Sequence, residues 1–286
     1  MISLSRTFHT LAAAAIVAWA APCAAAAAVP PPQLRSSAAV VVDQDTDEVL
    51  YAKNPSSVMP IASITKLMTA IVTLDAQLPL DEELVVDVSD KAATGHQSRL
   101  VPGTRLTRRD ALHVALMASE NRAAQLLARN YPGGVDAAVA AMNAKAAALG
   151  MAETHFVEPT GLSQQNRSTP EDLVRLVKAA YAYPTIRDDT VSTELTLQVR
   201  GRPLKFGNTN RLTSRSDWDI GLQKTGYIAA AGRCLVMQAV IHGRRVVMVF
   251  LDSFGKYSRL GDANRIRTWL EAHGDARRYA ALPSAG

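Results

Sequence analysis

Ala62-Ser63-Ile64-Thr65-Lys66-Leu67-Met68-Thr69 is the stretch that decides how this chain is read. Pro60 closes the segment before it, and Leu67, Ala70, Ile71 and Leu74 then recur at helical spacing. The pattern predicts a helix over 63–74 with Ser63 in its first turn. Residues three apart lie on one helix face, so Ser63 and Lys66 can touch. A serine at a helix start also places its hydroxyl where backbone N–H groups converge. A lysine beside it works as a base only when neutral, so its ordinary pKa of about 10.4 must fall. Burial and a second nearby cation both push it down, and Lys224 is a candidate for that cation.

Taken alone, S-x-x-K is a weak signal, since a helix cap with a solvent lysine has the same letters. The chain even carries a second copy, Ser253-Phe254-Gly255-Lys256. That copy follows a strand and contains a glycine, so it does not open a helix. Two further motifs strengthen the Ser63 reading. Ser119-Glu120-Asn121 falls between two helical runs, where a hydroxyl can relay a proton and an amide can hold a carbonyl, although by itself the motif is more often a helix-to-helix connection with Asn121 as a cap. Lys224-Thr225-Gly226 precedes Tyr227 and a strand-like region. There a cation and a hydroxyl face a carboxylate while the glycine admits a close backbone approach, the alternative being a strand edge guarded by a lysine. Three weak signals in this order are strong together, because the set is the one known from serine β-lactamases and penicillin-binding proteins. Two fixed donors are needed for an oxyanion, and the backbone N–H groups of Ser63 and Tyr227 are the candidates.

Outward from these motifs, Ser37–Val42 and Glu48–Lys53 read as strands about a polar turn, Asp43-Gln44-Asp45-Thr46-Asp47. Thr107 with Asp110 resembles a capping box before a helix to Met117, and Arg122–Arg129 is a second helical run. Gly134–Leu149 is an alanine-rich helix stopped at Gly150, and Thr169-Pro170 opens another. Leu195–Val199, Cys234–Ile241 and Val246–Leu251 are strand-like, with a turn at His242-Gly243-Arg244. A last helix over 259–273 carries Ile266, Trp269 and Leu270 on one face. Strands at both ends around a helical middle predict an α/β (α+β) fold, an antiparallel sheet flanked by helices and completed by the N-terminal hairpin, with a helical subdomain beside it.

The 286 residues, 48% hydrophobic, suffice for the core of one large domain or two modest ones. Arg6, the apolar run Leu11–Trp19 and the small-residue tract Ala24–Ala28 read as a secretory signal peptide over 1–28, too short for a membrane span. Cys23 lies in that region, without the leucine and small residue that lipid attachment sites place before the cysteine. Residues 29–35 read as a proline-rich linker, 36–275 as the folded domain and 276–286 as a tail. Removing the signal leaves one thiol, Cys234, and lowers the net charge of +5 to about +4. The chain has no dense basic run with interleaved aromatics, which argues against nucleic acid as a partner. Its six histidines show no ligand-type spacing and it has no phosphate loop, so neither a metal nor a cofactor is expected.

With these residues in hand, the chain resembles low-molecular-mass penicillin-binding proteins, in particular their D-alanyl-D-alanine endopeptidase branch. The resemblance extends to Ser119-Glu120-Asn121-Arg122-Ala123-Ala124, Phe156-Val157-Glu158-Pro159-Thr160-Gly161-Leu162, Asn208-Thr209-Asn210 and Phe254-Gly255-Lys256-Tyr257. It covers residues 36–272 and implies a β-lactamase/transpeptidase-like fold. It implies Ser63 as acylated nucleophile, Lys66 as base, Ser119 as relay, Asn121 as substrate-amide contact, and Lys224, Thr225 and Gly226 beside the substrate carboxylate. It further implies peptidoglycan as substrate, β-lactams as covalent inhibitors, and a periplasmic location without a stable membrane span, since little chain follows the last helix. Glu120 stands where the carboxypeptidase branch has glycine, and Arg259 is one candidate for the arginine that branch uses on a terminal carboxylate. D-alanyl-D-alanine carboxypeptidase stays open as the alternative activity. A serine β-lactamase is a further rival because Glu158 lies where class A enzymes hold their hydrolytic glutamate, but the E-x-x-L-N pattern is missing and Glu158 reads as structural. A non-enzymatic β-lactam sensor is a last alternative.

Overall fold

Asp43 ends the first strand and builds the turn after it. Its Oδ1 accepts the backbone N–H groups of Asp45 at 2.9 Å and Thr46 at 3.0 Å, and Arg244 donates to both Asp43 and Glu48. The expected hairpin follows, β1 (Ser36–Asp43) pairing antiparallel with β2 (Val49–Lys53). The structure, a computed structural model, describes residues 30–90 and 98–272. The signal peptide and the tail read from the sequence lie outside the described residues.

The chain continues through β3 (Met59–Pro60), α1 (Thr65–Asp75), β4 (Glu83–Val85), β5 (Arg105–Thr107), α2 (Arg108–Met117), α3 (Asn121–Arg129) and α4 (Gly134–Ala148). Then come β6 (Arg167–Ser168), α5 (Pro170–Tyr181), α6 (Pro184–Val191), β7 (Glu194–Val199) and β8 (Arg202–Gly207). It closes with β9 (Asp219–Ile228), β10 (Gly232–Ile241), β11 (Arg244–Ser253) and α7 (Ser258–Ala272). The helix starts follow the local chemistry that the sequence announces. Thr107 Oγ1 accepts the Asp110 N–H at 3.0 Å, and Thr169 Oγ1 accepts that of Asp172 at 3.1 Å ahead of Pro170.

Five strands form the main sheet in the order β2-β1-β11-β10-β9, each neighbour antiparallel. Both of its faces are covered, which is why β1 reads as an almost unbroken apolar run. Val40, Val42, Val236, Val247 and Val249 pack with α1, α2, α3 and α5 on one face. Val41, Leu235, Met237, Met248 and Phe250 pack on the other against Ala263, Ile266, Trp269 and Leu270 of α7. Trp269 also meets Tyr51 edge to face, with ring centroids 6.3 Å apart. Thr65 to Thr73 of α1 are all buried, so this helix runs through the middle of the helical layer.

One helix start and two elements differ from the sequence reading. Ala62–Ile64 is a 3-10 turn and the α-helix begins only at Thr65, because Ala62 holds φ at +48°, outside the helical region. The last helix is described to Ala272, and His273 lies outside the described residues. α6 and β8 were not expected: Pro-Thr-Ile-Arg-Asp-Asp-Thr-Val has almost no apolar period, and Pro203 stands inside β8. That proline is accommodated because, among the described residues, β8 pairs only with β7 and needs no donor on its other edge. The copy Ser253-Phe254-Gly255-Lys256 spans the end of β11 and an exposed loop, not a helix start.

Candidate active site

The turn carrying Ser63 is held from two sides. Thr65 Oγ1 donates to the Ala62 carbonyl at 2.8 Å, and the Ile61 N–H donates to the Asn166 carbonyl at 3.1 Å. Asn166 Nδ2 in turn donates to Thr65 Oγ1 at 3.1 Å. Gly161, at φ +82°, packs so closely that a Cβ there would meet the Ala62 oxygen at 1.9 Å. On the opposite side a Cβ at Gly226 would come within 3.0 Å of the Ile61 oxygen and 3.1 Å of the Ser63 nitrogen. The sequence reading gave Gly226 to the approach of a substrate backbone. The close approach found is that of the Ser63 turn to β9, where a Cβ would force its neighbours to give by a few tenths of an ångström. Ala62 keeps its unfavourable φ inside this clamp.

Lys66, one helical turn on, is 1% exposed. Its Nζ has three partners: Ser63 Oγ at 2.9 Å, Asn121 Oδ1 at 2.7 Å and the Thr160 carbonyl at 2.5 Å. Burial pushes its pKa down to about 7, against the upward pull of the Glu158 and Glu120 carboxylates. A neutral amine has two N–H bonds and one lone pair. Asn121 Oδ1 and the Thr160 carbonyl can only accept, so the lone pair falls to Ser63, the one partner able to donate. The arrangement therefore leaves the lysine no other way to be neutral than as an acceptor of the serine proton.

Ser119 lies between α2 and α3 at φ +59°, a strained value for serine. Glu120 caps α3 by accepting the Arg122 N–H at 3.1 Å, which frees Asn121 from the capping role and turns its amide toward Lys66. Ser119 Oγ accepts from Lys224 Nζ at 2.8 Å. The three motifs are thus one network: Ser63 to Lys66, Lys66 to Asn121, and Ser119 to Lys224. Lys224 is fully buried, also donates to its neighbour's carbonyl at 2.9 Å, and is held well below an ordinary lysine by burial first, then by Lys66 and Arg259. For Lys66 the lowering comes from burial, and the charges that act on it, Glu158 and Glu120, raise it; the expected push from Lys224 is not among the causes.

Glu158 is the hub of the 158–166 turn. Its carboxylate accepts the N–H groups of Thr160 (2.7 Å), Gly161 (2.6 Å) and Ser163 (3.3 Å), the Thr160 hydroxyl, and Asn166 Nδ2 at 2.9 Å. Five donors occupy its lone pairs, which supports the structural role read for it and leaves it poorly placed to activate a water. What the turn delivers to the site is the Thr160 carbonyl on Lys66.

A cleft of about 270 Å³ opens beside Ser63, lined by Ser119, Asn121, Leu162, Thr209, Thr225, Gly226, Tyr227 and Arg259. Every site residue read from the sequence is in this cleft or, like Lys66 and Lys224, directly behind it. Tyr227 stands on β9, the outer strand of the sheet. Two contributors had no role in the sequence reading, and a third was named there only as a candidate. Thr209 bonds Thr225 Oγ1 at 2.6 Å, a pairing that no sequence period signals. Thr160 acts through its backbone, to which side-chain letters are blind. Arg259, which the sequence offered as a candidate for the substrate carboxylate, is 9% exposed, and its Nε and Nη1 have no hydrogen-bond partner among the described residues. A buried, unpaired guanidinium in a cleft is a ready anion site. Among the described residues no group of three or more His, Cys, Asp or Glu could hold a metal ion.

Comparison with known proteins agrees with this geometry. A family model described as D-alanyl-D-alanine carboxypeptidase, peptidase S11, matches residues 25–255. The chain is 48% identical over 288 aligned residues to a D-alanyl-D-alanine endopeptidase of Pseudomonas aeruginosa, covering 100% of this chain and 91% of that protein. It is 51% identical over 233 residues to a D-alanyl-D-alanine endopeptidase of Escherichia coli, covering 80% and 75%. Among solved structures, the Streptomyces K15 DD-transpeptidase matches with a TM-score of 0.79 at 28% identity over 85% of this chain and 100% of that one. With the family model spanning most of the chain and relatives about half identical to it, this protein belongs to the D-alanyl-D-alanine carboxypeptidase family, peptidase S11, and is a serine peptidase of the penicillin-binding fold.

Proposed function

We propose that this chain is a periplasmic serine DD-endopeptidase that hydrolyses D-alanyl-diaminopimelyl cross-links of peptidoglycan and is acylated by β-lactams. The observation that carries the chemistry is the bonding of Lys66, which assigns its lone pair to Ser63. Ser63 Oγ attacks the D-alanyl carbonyl carbon and passes its proton to Lys66. The carbonyl oxygen takes the negative charge and is received by the N–H groups of Ser63 and Tyr227. The C–N bond then breaks as the proton on Lys66 passes through the Ser119 hydroxyl, which Lys224 backs, to the leaving nitrogen, and Lys66 is neutral again. Water next gives a proton to Lys66 and adds to the acyl carbon. Cleavage of the ester returns that proton to Ser63 and releases the D-alanyl acid.

Asn121 holds the substrate amide. Arg259, with Thr225 and Thr209 beside it and Lys224 behind, receives the carboxylate next to the scissile bond. The endopeptidase reading rests on the two relatives about half identical to this chain, both of that name. Carboxypeptidase activity is the second reading, favoured by the description of the family model. For location, the support is the signal-type sequence of residues 1–28 ahead of the stretch 36–275 read from the sequence as the folded domain. No helix among the described residues is long and apolar enough to cross a membrane. Digestion of cross-linked muropeptide dimers beside pentapeptide monomers, read by mass spectrometry with Ser63→Ala as control, separates the two activities. Dimers converted to monomers by the wild type alone supports the endopeptidase. Loss of a terminal D-alanine from monomers with dimers untouched makes it a carboxypeptidase.

A further inference from the structure

Thr209 sits on a segment whose two neighbours are pinned. The Asn208 amide makes every bond open to it. Its Nδ2 donates to the Thr190 carbonyl at 2.9 Å and the Ser192 carbonyl at 2.7 Å, while its Oδ1 accepts the Asn210 N–H and Gln223 Nε2, each at 2.9 Å. Asn210 is fully buried and caps the short turn that follows, its Oδ1 accepting the Leu212 N–H at 3.1 Å. Gln223 precedes Lys224 on β9, so the segment is tied to the strand that carries Lys224 and Thr225. Between these anchors the Thr209 hydroxyl meets that of Thr225 at 2.6 Å, and both threonines line the cleft together with Arg259.

Each hydroxyl owns one proton, so one threonine donates within the pair and the proton of the other must go elsewhere. Thr209 has a single further acceptor in reach among the described residues, the Met117 carbonyl at 3.5 Å, which already receives the Thr209 N–H at 3.2 Å. That is long beside the usual O–H···O separation of about 2.7–2.8 Å. Thr225 Oγ1 has no partner but Thr209 among the described residues, and it borders the cleft. We propose that Thr209 is a positioning residue for substrate recognition: it donates its proton to Thr225, which thereby keeps its own proton for the carboxylate beside the scissile bond. The reverse direction would turn the Thr225 proton away and show the anion a lone pair, with only the long Met117 contact to hold it. In the proposed direction the bonds run head to tail toward the anion, and each polarises the next. The proposal deepens the function proposed above and rests on it, since it needs Ser63 to be acylated and the carboxylate to lie at Arg259 and Thr225. It places part of the preference for an anionic substrate on a residue outside the three motifs that acts only through another.

The test compares acylation by benzylpenicillin with acylation by its carboxamide, which keeps the reactive ring and lacks the anion, with labelling rates read by mass spectrometry. Thr209→Val is expected to slow the acid about tenfold, the scale of one charge-assisted hydrogen bond that loses its orientation, and to leave the carboxamide within about twofold of the wild type. Thr209→Ser is expected to restore the acid rate. Thr225→Val should slow the acid more than Thr209→Val does, and adding Thr209→Val to it should slow the acid no further, because the two residues act as one unit. Equal slowing of acid and carboxamide by Thr209→Val overturns the proposal, since a merely structural role does that, and so does no slowing of either. A loss from Thr209→Val that persists in full beside Thr225→Val also overturns it, by putting Thr209 itself on the carboxylate. If circular dichroism shows Thr209→Val unfolded, Thr209→Ala, which only removes atoms, is read in the same way. Failure of the underlying reading looks different: wild-type protein that neither compound labels, or that both label at one rate.

Discussion

Ser119 Oγ and Lys224 Nζ, 105 residues apart in the chain, lie 2.8 Å from each other behind the cleft. The bond ties the helical layer to the outer strand of the sheet and gives the relay hydroxyl a buried amine as its donor. Ser119→Ala removes the relay and leaves Lys224 with only its own neighbour's carbonyl. Loss of a positioned proton carrier costs about 10²- to 10⁴-fold in rate. Peptide turnover is expected to fall by that order while the protein folds, checked by mass-spectrometric assay beside circular dichroism.

The pH dependence follows from Lys66, whose pKa burial holds down to about 7. The base must be neutral, so acylation by a penicillin is expected to rise with pH through that value and level above it. Stability runs the same way. Between about 7 and the ordinary lysine value the unfolded chain keeps a proton that the folded chain has released, so folding gains as pH rises across that window and loses as pH falls through it. Urea denaturation of wild type and Lys66→Met at several pH values isolates the effect, since the methionine variant should lack that part of the slope.

Glu158→Gln places an amide NH₂ where the carboxylate now receives only donors. One unsatisfied buried group costs about 1–3 kcal/mol, which urea denaturation can resolve. The variant also removes a negative charge that raises the Lys66 pKa. The rise of acylation with pH should therefore move to lower pH, and the plateau should fall as the Thr160 carbonyl shifts. A loss of stability with the pH profile unmoved would show that the turn supports the fold and not the base.

Gly161→Ala puts a methyl group into the Ala62 carbonyl at a backbone angle that alanine avoids. Overpacking and strain together cost about 2–4 kcal/mol, and they fall on the turn that aims Ser63. Acylation should drop further than the melting temperature suggests, read by comparing labelling at saturating penicillin with thermal unfolding.

How far the letters reach is clear from particular residues. The three motifs, the strands of the main sheet that bear apolar runs, and the capped starts at Thr107 and Thr169 were all legible, since each rests on period or on a local side-chain bond. α6 and β8 were not, because tertiary packing overrides their weak patterns. Arg259 was ambiguous because nothing local tells a buried unpaired guanidinium from a solvent one; only the fold leaves its Nε and Nη1 without partners. The Thr160 carbonyl and the meeting of Gly161 with Ala62 are backbone facts between segments almost 100 residues apart, and no spacing rule encodes them.

The central claim is that Ser63, activated by Lys66, is the residue acylated. The most direct measurement is to trap the penicilloyl-enzyme, digest it and locate the adduct by tandem mass spectrometry. The account expects a single adduct on the peptide at Ser63, absent in Ser63→Ala and persisting for minutes or longer because Glu158 is occupied by the turn. An adduct on Ser253 or Ser119, or an adduct on Ser63 that clears within seconds, would contradict it.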